Sequence, residues 1–484
     1  MRTRHLVTAW TLLAALHGIR PATGAAQQAA VPRATAVAGI SPEAIARQIG
    51  VLAADSFRGR PTPSRELDGA AAYVAAEFRR AGVRALPGGA LLARWPMVTT
   101  HPRADGIRLD VTSGGRTTSL TYGTDFAVMR AGRATTAGEL VPVADLRDTA
   151  AIRGRVPVLR LPPGPWSAPA HAATTAARRA GARGLVLVLD SLEKIPPLAE
   201  RVLEMDHAAI GVPTVMLAAA AAERALPGPL LAGAALTLDI PESADTASAP
   251  YVLGLLPGGD PRHRGEYVVM VAHLDHLGVG APDERGDSIY NGADDNASGV
   301  AAVLEAARAL ARARPAPRRS VLFLVTSGEE RGLFGSEYFT RRPPVPLARM
   351  LAAVNLDGIG RSWQADTVSA EGSAYSSLGE TVRRMGRKHP ELALTIVDDQ
   401  WPDRSYFTTS DQIWFARRGV PAIFLSSTGP DAHYHRPSDE AETIEPFITA
   451  RIARLVAWTV LAIADSGERP RWDEMARRSI VIDR

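Results

Sequence analysis

The stretch YNGADDNASG, Tyr290 to Gly299, sets Asp294 directly beside Asp295 among small residues. It lies between two continuous apolar runs, YVVMVA (267–272) and SVLFLVTS (320–327), and it opens a segment in which Val300, Val303, Leu304, Ala307 and Leu310 share one helical face. Runs that are apolar at every position suit parallel strands buried on both faces. Further strands are expected at AAVNL (352–356) and PAIFLSS (421–427). Residues 250–466 therefore read as α/β, a mostly parallel central sheet flanked by crossover helices.

In an open α/β sheet, ligands bind beyond the carboxyl ends of the strands. Those ends carry His273, Asp275 and His276, then Glu329 and Glu330, then Asp357, and finally His433, Tyr434 and His435. The acidic pair lies on the loop leaving the first of these strands. Imidazole and carboxylate without thiolate favour zinc or a similar divalent ion and suit hydrolysis, because such sites keep positions open for water. Five side chains, one of them bridging, would hold two cations, and His273, Asp294, Glu330, Asp357 and His435 supply that number. Each residue also has an ordinary reading. A lone His at a strand end is usually structural, adjacent acids in a Gly-rich loop commonly form a turn and helix cap, and Asn296 or Ser298 could cap the helix. Their joint occurrence at successive strand ends is what the ordinary readings fail to explain.

Working outward, Ser41 and Pro42 read as the N-cap and first residue of a helix, and a second helix follows with Gly82 as its stop. Residues 38–110 are assigned to an N-terminal part of the same domain. From 115 to 248 short β-like runs such as RVPVLRLP, GLVLVLD and VPTVML surround one Ala-rich helix, which reads as an inserted β-rich module. Its His171 and His207 have no partners at ligand spacing and read as structural. The polar stretch Pro241–Pro250 reads as a linker, and 467–484 as a surface tail. At the N-terminus, Arg2 and Arg4 precede LVTAWTLLAALHGI and the small residues ATGAA (22–26), the pattern of a cleaved signal peptide over 1–26. No later run reads as long and apolar enough to cross a bilayer, so a secreted or periplasmic location without a stable membrane anchor is expected. The chain has no cysteine, hence no disulfides. Its 55 basic residues are arginines apart from Lys194 and Lys388, and they are dispersed and not interleaved with aromatics, so nucleic acid is not expected as a partner.

HLDHLG, YNGADDNASGVAAVLEAAR, SGEERGLFGSEYF, NLDGIG and YHRPSD, in that order, resemble the co-catalytic dizinc exopeptidase family that includes bacterial leucyl aminopeptidases, glutamate carboxypeptidase II and the transferrin receptor. The segment 115–248 is similar, more weakly, to the protease-associated (PA) domain often inserted there. The resemblance implies two Zn2+ ions, one held by His273 and Asp357 and the other by Glu330 and His435, with Asp294 bridging. It implies Glu329 as general base, Asp275 as the carboxylate fixing the His273 tautomer and Tyr434 as an oxyanion donor. It further implies a cis peptide between Asp294 and Asp295. His276 and His433 are left with loop-structural roles. Ser410, Asp411 and Gln412 depart from the Ser-Asp-His of relatives, which weakens any inference of specificity. The resulting expectation is an aminopeptidase acting on peptide substrates. The alternatives are a carboxypeptidase of the glutamate carboxypeptidase type and a receptor-like binding protein, and the oligomeric state is left open.

Overall fold

Both apolar runs are strands, paired in parallel: Tyr267–His273 lies beside Ser320–Thr326 and, on its other edge, beside Met350–Leu356. The computed structural model of the chain describes residues 30–130, 135–163, 167–192, 201–202, 212–226, 233–399, 406–429 and 431–481. The expected signal peptide and His207 lie outside them. Numbered in chain order, the main sheet contains β1 (Leu92–Pro102), β2 (Glu242–Leu256), β3 (Tyr267–His273), β4 (Ser320–Thr326), β5 (Met350–Leu356), β6 (Thr367–Glu371), β7 (Thr395–Val397) and β8 (Ala422–Ser426). Their order across the sheet is β7-β6-β8-β5-β3-β4-β2-β1, with the short strand Arg201–Val202 beyond β1. The centre, from β8 to β4, is parallel; β6 joins β8 and β2 joins β4 antiparallel.

Around this sheet lie α1 (Pro42–Leu52), α2 (Arg65–Ala81), α3 (Gly299–Arg312), α4 (Phe334–Arg341), α5 (Leu378–Lys388), α6 (Gln412–Arg417) and α7 (Pro446–Asp465). Successive strand residues point to opposite faces. Val268, Met270 and Ala272 of β3 enter a core built with α1, α2, α3, α5 and α7, whereas Val269 and Val271 meet Phe339 of α4 and Phe415 of α6 on the other face. Both faces are covered, which is why β3 and β4 are apolar throughout. The Ser41 hydroxyl accepts from the Ala44 amide at 3.2 Å, and Gly82 ends α2 in a left-handed conformation, as the sequence implies.

Two expectations change. Pro241–Pro250 is not a linker: from Glu242 onward it belongs to β2, a 15-residue strand paired from Glu242 to Val252 with β1. Its small polar residues are held by that ladder and not by an apolar face of their own. In addition, α7 is long and apolar enough to cross a membrane, with a mean hydropathy of 1.7, but 72% of that stretch is buried inside the protein, where it packs against α1, α3 and α5. It is a core helix.

Between β1 and β2 the chain builds a second sheet, of eight strands among the described residues, beginning at Arg108–Ser113 and closing at Ala235–Asp239. It has cores of its own around Val111, Phe126, Leu236 and Leu187. The Ala-rich helix spans Ser167–Arg179. The tail includes a short helix, Glu474–Ile480.

Candidate metal centre

The carboxyl ends of β3, β4, β5 and β8 converge as the strand order requires. His273, the last residue of β3, directs Nδ1 at the Asp275 carbonyl oxygen, 3.1 Å away. Its Nε2 faces two carboxylates, Asp295 Oδ1 at 3.3 Å and Asp357 Oδ1 at 3.4 Å. The other Asp295 oxygen lies 3.2 Å from His435 Nε2, which is also 3.3 Å from Glu330 Oε2. Asp295 thus stands between two sets of donors, one oxygen toward each. Ligand atoms of His273, Asp295 and Asp357 all fall within 4.8 Å of one another, as do those of His276, Asp295 and Glu330.

The donors fit a divalent pair. His273 Nε2 is buried, is aimed at carboxylates and has no hydrogen-bond partner among the described residues. An unpaired buried polar atom is costly, whereas a cation would satisfy it. The set is nitrogen and oxygen only, the chemistry expected of a hydrolytic zinc-type site.

Asp294 does not occupy the bridging place expected of it. Its Oδ1 accepts from the Gly360 amide at 2.5 Å, its Oδ2 from the Thr428 hydroxyl, and Arg361 lies 3.5 Å away. The turn set by Gly292, in the left-handed region at φ 59°, sends Asp294 toward the loop after β5 and leaves Asp295 to enter the centre. The Asp439 carboxylate receives the amides of both residues, at 2.9 and 3.1 Å. The cis peptide is likewise one residue later than expected, between Asp295 and Asn296. Asn296 Oδ1 accepts from the Gly299 amide at 3.0 Å and its Nδ2 donates to the Leu356 carbonyl at 2.9 Å, capping α3 and tying it to β5.

The neighbours of the ligands also differ from expectation. The Asp275 carboxylate lies 3.8 Å from His273 Nδ1, too far to fix the tautomer; the Asp275 backbone carbonyl occupies that position, and the carboxylate instead receives the Thr62 hydroxyl at 2.9 Å and the Glu329 amide at 3.3 Å. His276 is not merely a loop residue, because its Nδ1 is 2.6 Å from Glu330 Oε1. Nothing in its spacing reveals this, since its partner is on another strand end. His433 bonds Ser438 at 3.0 Å, a local loop contact. Ser410 donates to Asp357 Oδ2 at 2.8 Å, and Asn355 donates to both Ser410 and Gln412, so the departure from Ser-Asp-His falls on residues that brace Asp357.

Burial raises the Glu329 carboxyl well above its usual range, against the pull of His273. Burial also raises Asp275 to about 6 and Asp294 to about 7, the latter opposed by Arg361. Asp295 goes the other way: burial pushes it up, but His276, His273 and His435 outweigh that and hold it well below the ordinary value. The residue best placed to bridge is thereby favoured in its ionised form. Asp294, Asp295, Glu329, Glu330, Asp357 and His435 line a cavity of about 610 Å³ together with Ser369, Glu371, Phe424 and Ser426. Tyr434 also lines it, 58% exposed, its ring stacked on that of His435 at 3.8 Å.

Residues 252–460, which carry β3 to β8 and every candidate ligand, match the family model described as peptidase family M28. This segment resembles the M28 peptidases. Leupeptin-inactivating enzyme 1 of Streptomyces exfoliatus is 37% identical to the chain over 105 residues, 22% of this chain and 21% of that protein. A vacuolar membrane protease of Phaeosphaeria nodorum is 25% identical over 217 residues, 44% of this chain and 20% of that protein. The chain thus spans about a fifth of the length of these curated relatives. Among solved structures, an aminopeptidase from Aneurinibacillus sp. strain AM-1 superposes with a TM-score of 0.52 at 17% identity, covering 93% of this chain and 98% of that one. This likeness extends the shared fold beyond residues 252–460 to most of the chain.

Proposed function

We propose that the protein is a dizinc exopeptidase, most simply an aminopeptidase that releases N-terminal residues from peptides, exported by its N-terminal signal segment. The observation that carries the reading is Asp295, one carboxylate oxygen facing His273 and Asp357 and the other facing Glu330 and His435. His273, Asp357 and one oxygen of Asp295 would hold one ion; Glu330, His435 and the other oxygen would hold the second. Such a pair, when bound, supplies Lewis acidity and lowers the pKa of water.

The chain's own residues supply the rest. Glu329, its amide held by Asp275, receives a proton from the attacking water and returns it to the leaving amine. Tyr434 is the proposed donor to the developing oxyanion. His276 restrains the free oxygen of Glu330. A carboxypeptidase needs a cation for the substrate's terminal carboxylate. The arginine among the described cavity-lining residues, Arg361, is already engaged by Asp431 and Asp439, which favours the aminopeptidase reading. The module at 115–248 is proposed to be a PA domain that shapes access to the cleft. Its Arg147 and Arg179 border a groove together with Thr408, whose neighbours Tyr406 and Thr409 line the cavity.

Peptides blocked at one end or the other test this directly. Acetylating the N-terminus should abolish cleavage by the zinc-loaded protein and amidating the C-terminus should not; the opposite pattern would establish the carboxypeptidase.

A further inference from the structure

The segment Arg58–Thr62 is threaded between the loops that carry the candidate ligands. Arg58, Gly59 and Arg60 all take left-handed backbone angles. A Cβ on Gly59 would meet the Tyr290 carbonyl oxygen at 2.4 Å and that of Gly278 at 2.6 Å, so this close approach requires glycine. The turn drives the Arg60 side chain into the interior, where it is 0% exposed. There the guanidinium donates to four backbone carbonyls: Leu274 and Asn291 at 2.7 Å, Gly292 at 3.0 Å and Leu52 at 2.5 Å. Leu274 sits between His273 and Asp275; Asn291 and Gly292 lead directly into the loop that aims Asp295. Two residues on, Thr62 donates its hydroxyl to Asp275 and receives the amide of Gly328, the residue before Glu329.

Arginine suits this task because its five donors lie in one rigid plane and its charge persists when buried. Packing alone would not direct three of its four contacts at the two ends of the ligand-bearing connection between β3 and α3. We infer that Arg60, seconded by Thr62, is a positioning residue of the metal centre, a clamp from the N-terminal segment that sets the spacing of the His273, Asp295 and Glu329 loops. The inference rests on the proposed assignment of the ligands. Neither side chain reaches a reacting atom, and both act through the backbone and Asp275.

The test measures zinc affinity by chelator competition on the purified full chain, alongside Tm, for Arg60→Met, Arg60→Lys, Thr62→Val and a core control, Val74→Ala in α2. Arg60→Met should weaken zinc binding about 10- to 100-fold, the usual effect of losing a group that orients ligands. Arg60→Lys should recover part of the loss, and Val74→Ala should lower Tm without moving zinc affinity. If Arg60→Met does not fold, Thr62→Val, which removes one hydroxyl, carries the test and should weaken binding at least threefold. Folded Arg60→Met or Thr62→Val with wild-type affinity overturns the inference, as does an affinity loss in Val74→Ala that tracks its Tm in the same way. A wild-type protein that binds no zinc overturns this inference and the proposed function together. One that binds zinc but cleaves no peptide overturns the activity alone.

Discussion

Two neighbouring carboxylates, Asp294 and Asp295, share one loop and are given different work by their surroundings. Asp294 is enclosed by the Gly360 amide, Thr428 and Arg361, all groups that satisfy a carboxylate in place. Asp295 meets three imidazoles and shares them with Asp357 and Glu330. Asp295→Asn should therefore lose at least one ion on metal analysis. Asp294→Asn should keep both and lose zinc affinity by about tenfold, as changes beyond the ligands usually do; equal loss in the two variants would contradict the assignment. Glu329→Gln should lower kcat about 10² to 10⁴-fold with metal content intact, a result that metal analysis and steady-state kinetics check together. Spacing could place an acidic pair at the site, but it could not say which of two adjacent side chains turns inward, because Gly292 and Asp439 decide that from either side of the loop. His276 escaped for a related reason, since its partner Glu330 is 54 positions away.

At the scale of elements, the strands and the ligands at their ends were legible because β3 and β4 are buried on both faces, and each strand must then hand its polar residues to the loop that follows. What was not legible depended on a distant partner. β2 reads as a linker until β1 pairs with it, and α7 is a long apolar run whose location only its packing against α1, α3 and α5 reveals. The loop between β3 and α3 is the element on which the centre depends most. At Gly292 a Cβ would lie 2.3 Å from the Asp295 carbonyl oxygen and 2.6 Å from the His276 ring, in a backbone region that side chains rarely adopt. Gly292→Ala should cost about 2–4 kcal/mol of stability, combining left-handed strain with overpacking, and it should weaken zinc binding in the same variant. Calorimetry with and without zinc would show whether the two losses occur together.

For the whole molecule, the candidate ligands lie on the main sheet's strand ends and loops, while the described residues of the second sheet at 108–239 contribute none of them. Deleting the inserted module should shift KM and the range of peptide lengths cleaved more than it shifts zinc content, and loss of zinc from a folded deletion variant would contradict that division. The central claim, that Asp295 holds two metal ions together, is tested most directly by anomalous diffraction at the zinc edge from crystals of the zinc-loaded protein. Two peaks are expected, one beside each Asp295 oxygen, with His273 and Asp357 at the first and Glu330 and His435 at the second. A single peak, or a pair bridged by Asp294, would contradict it.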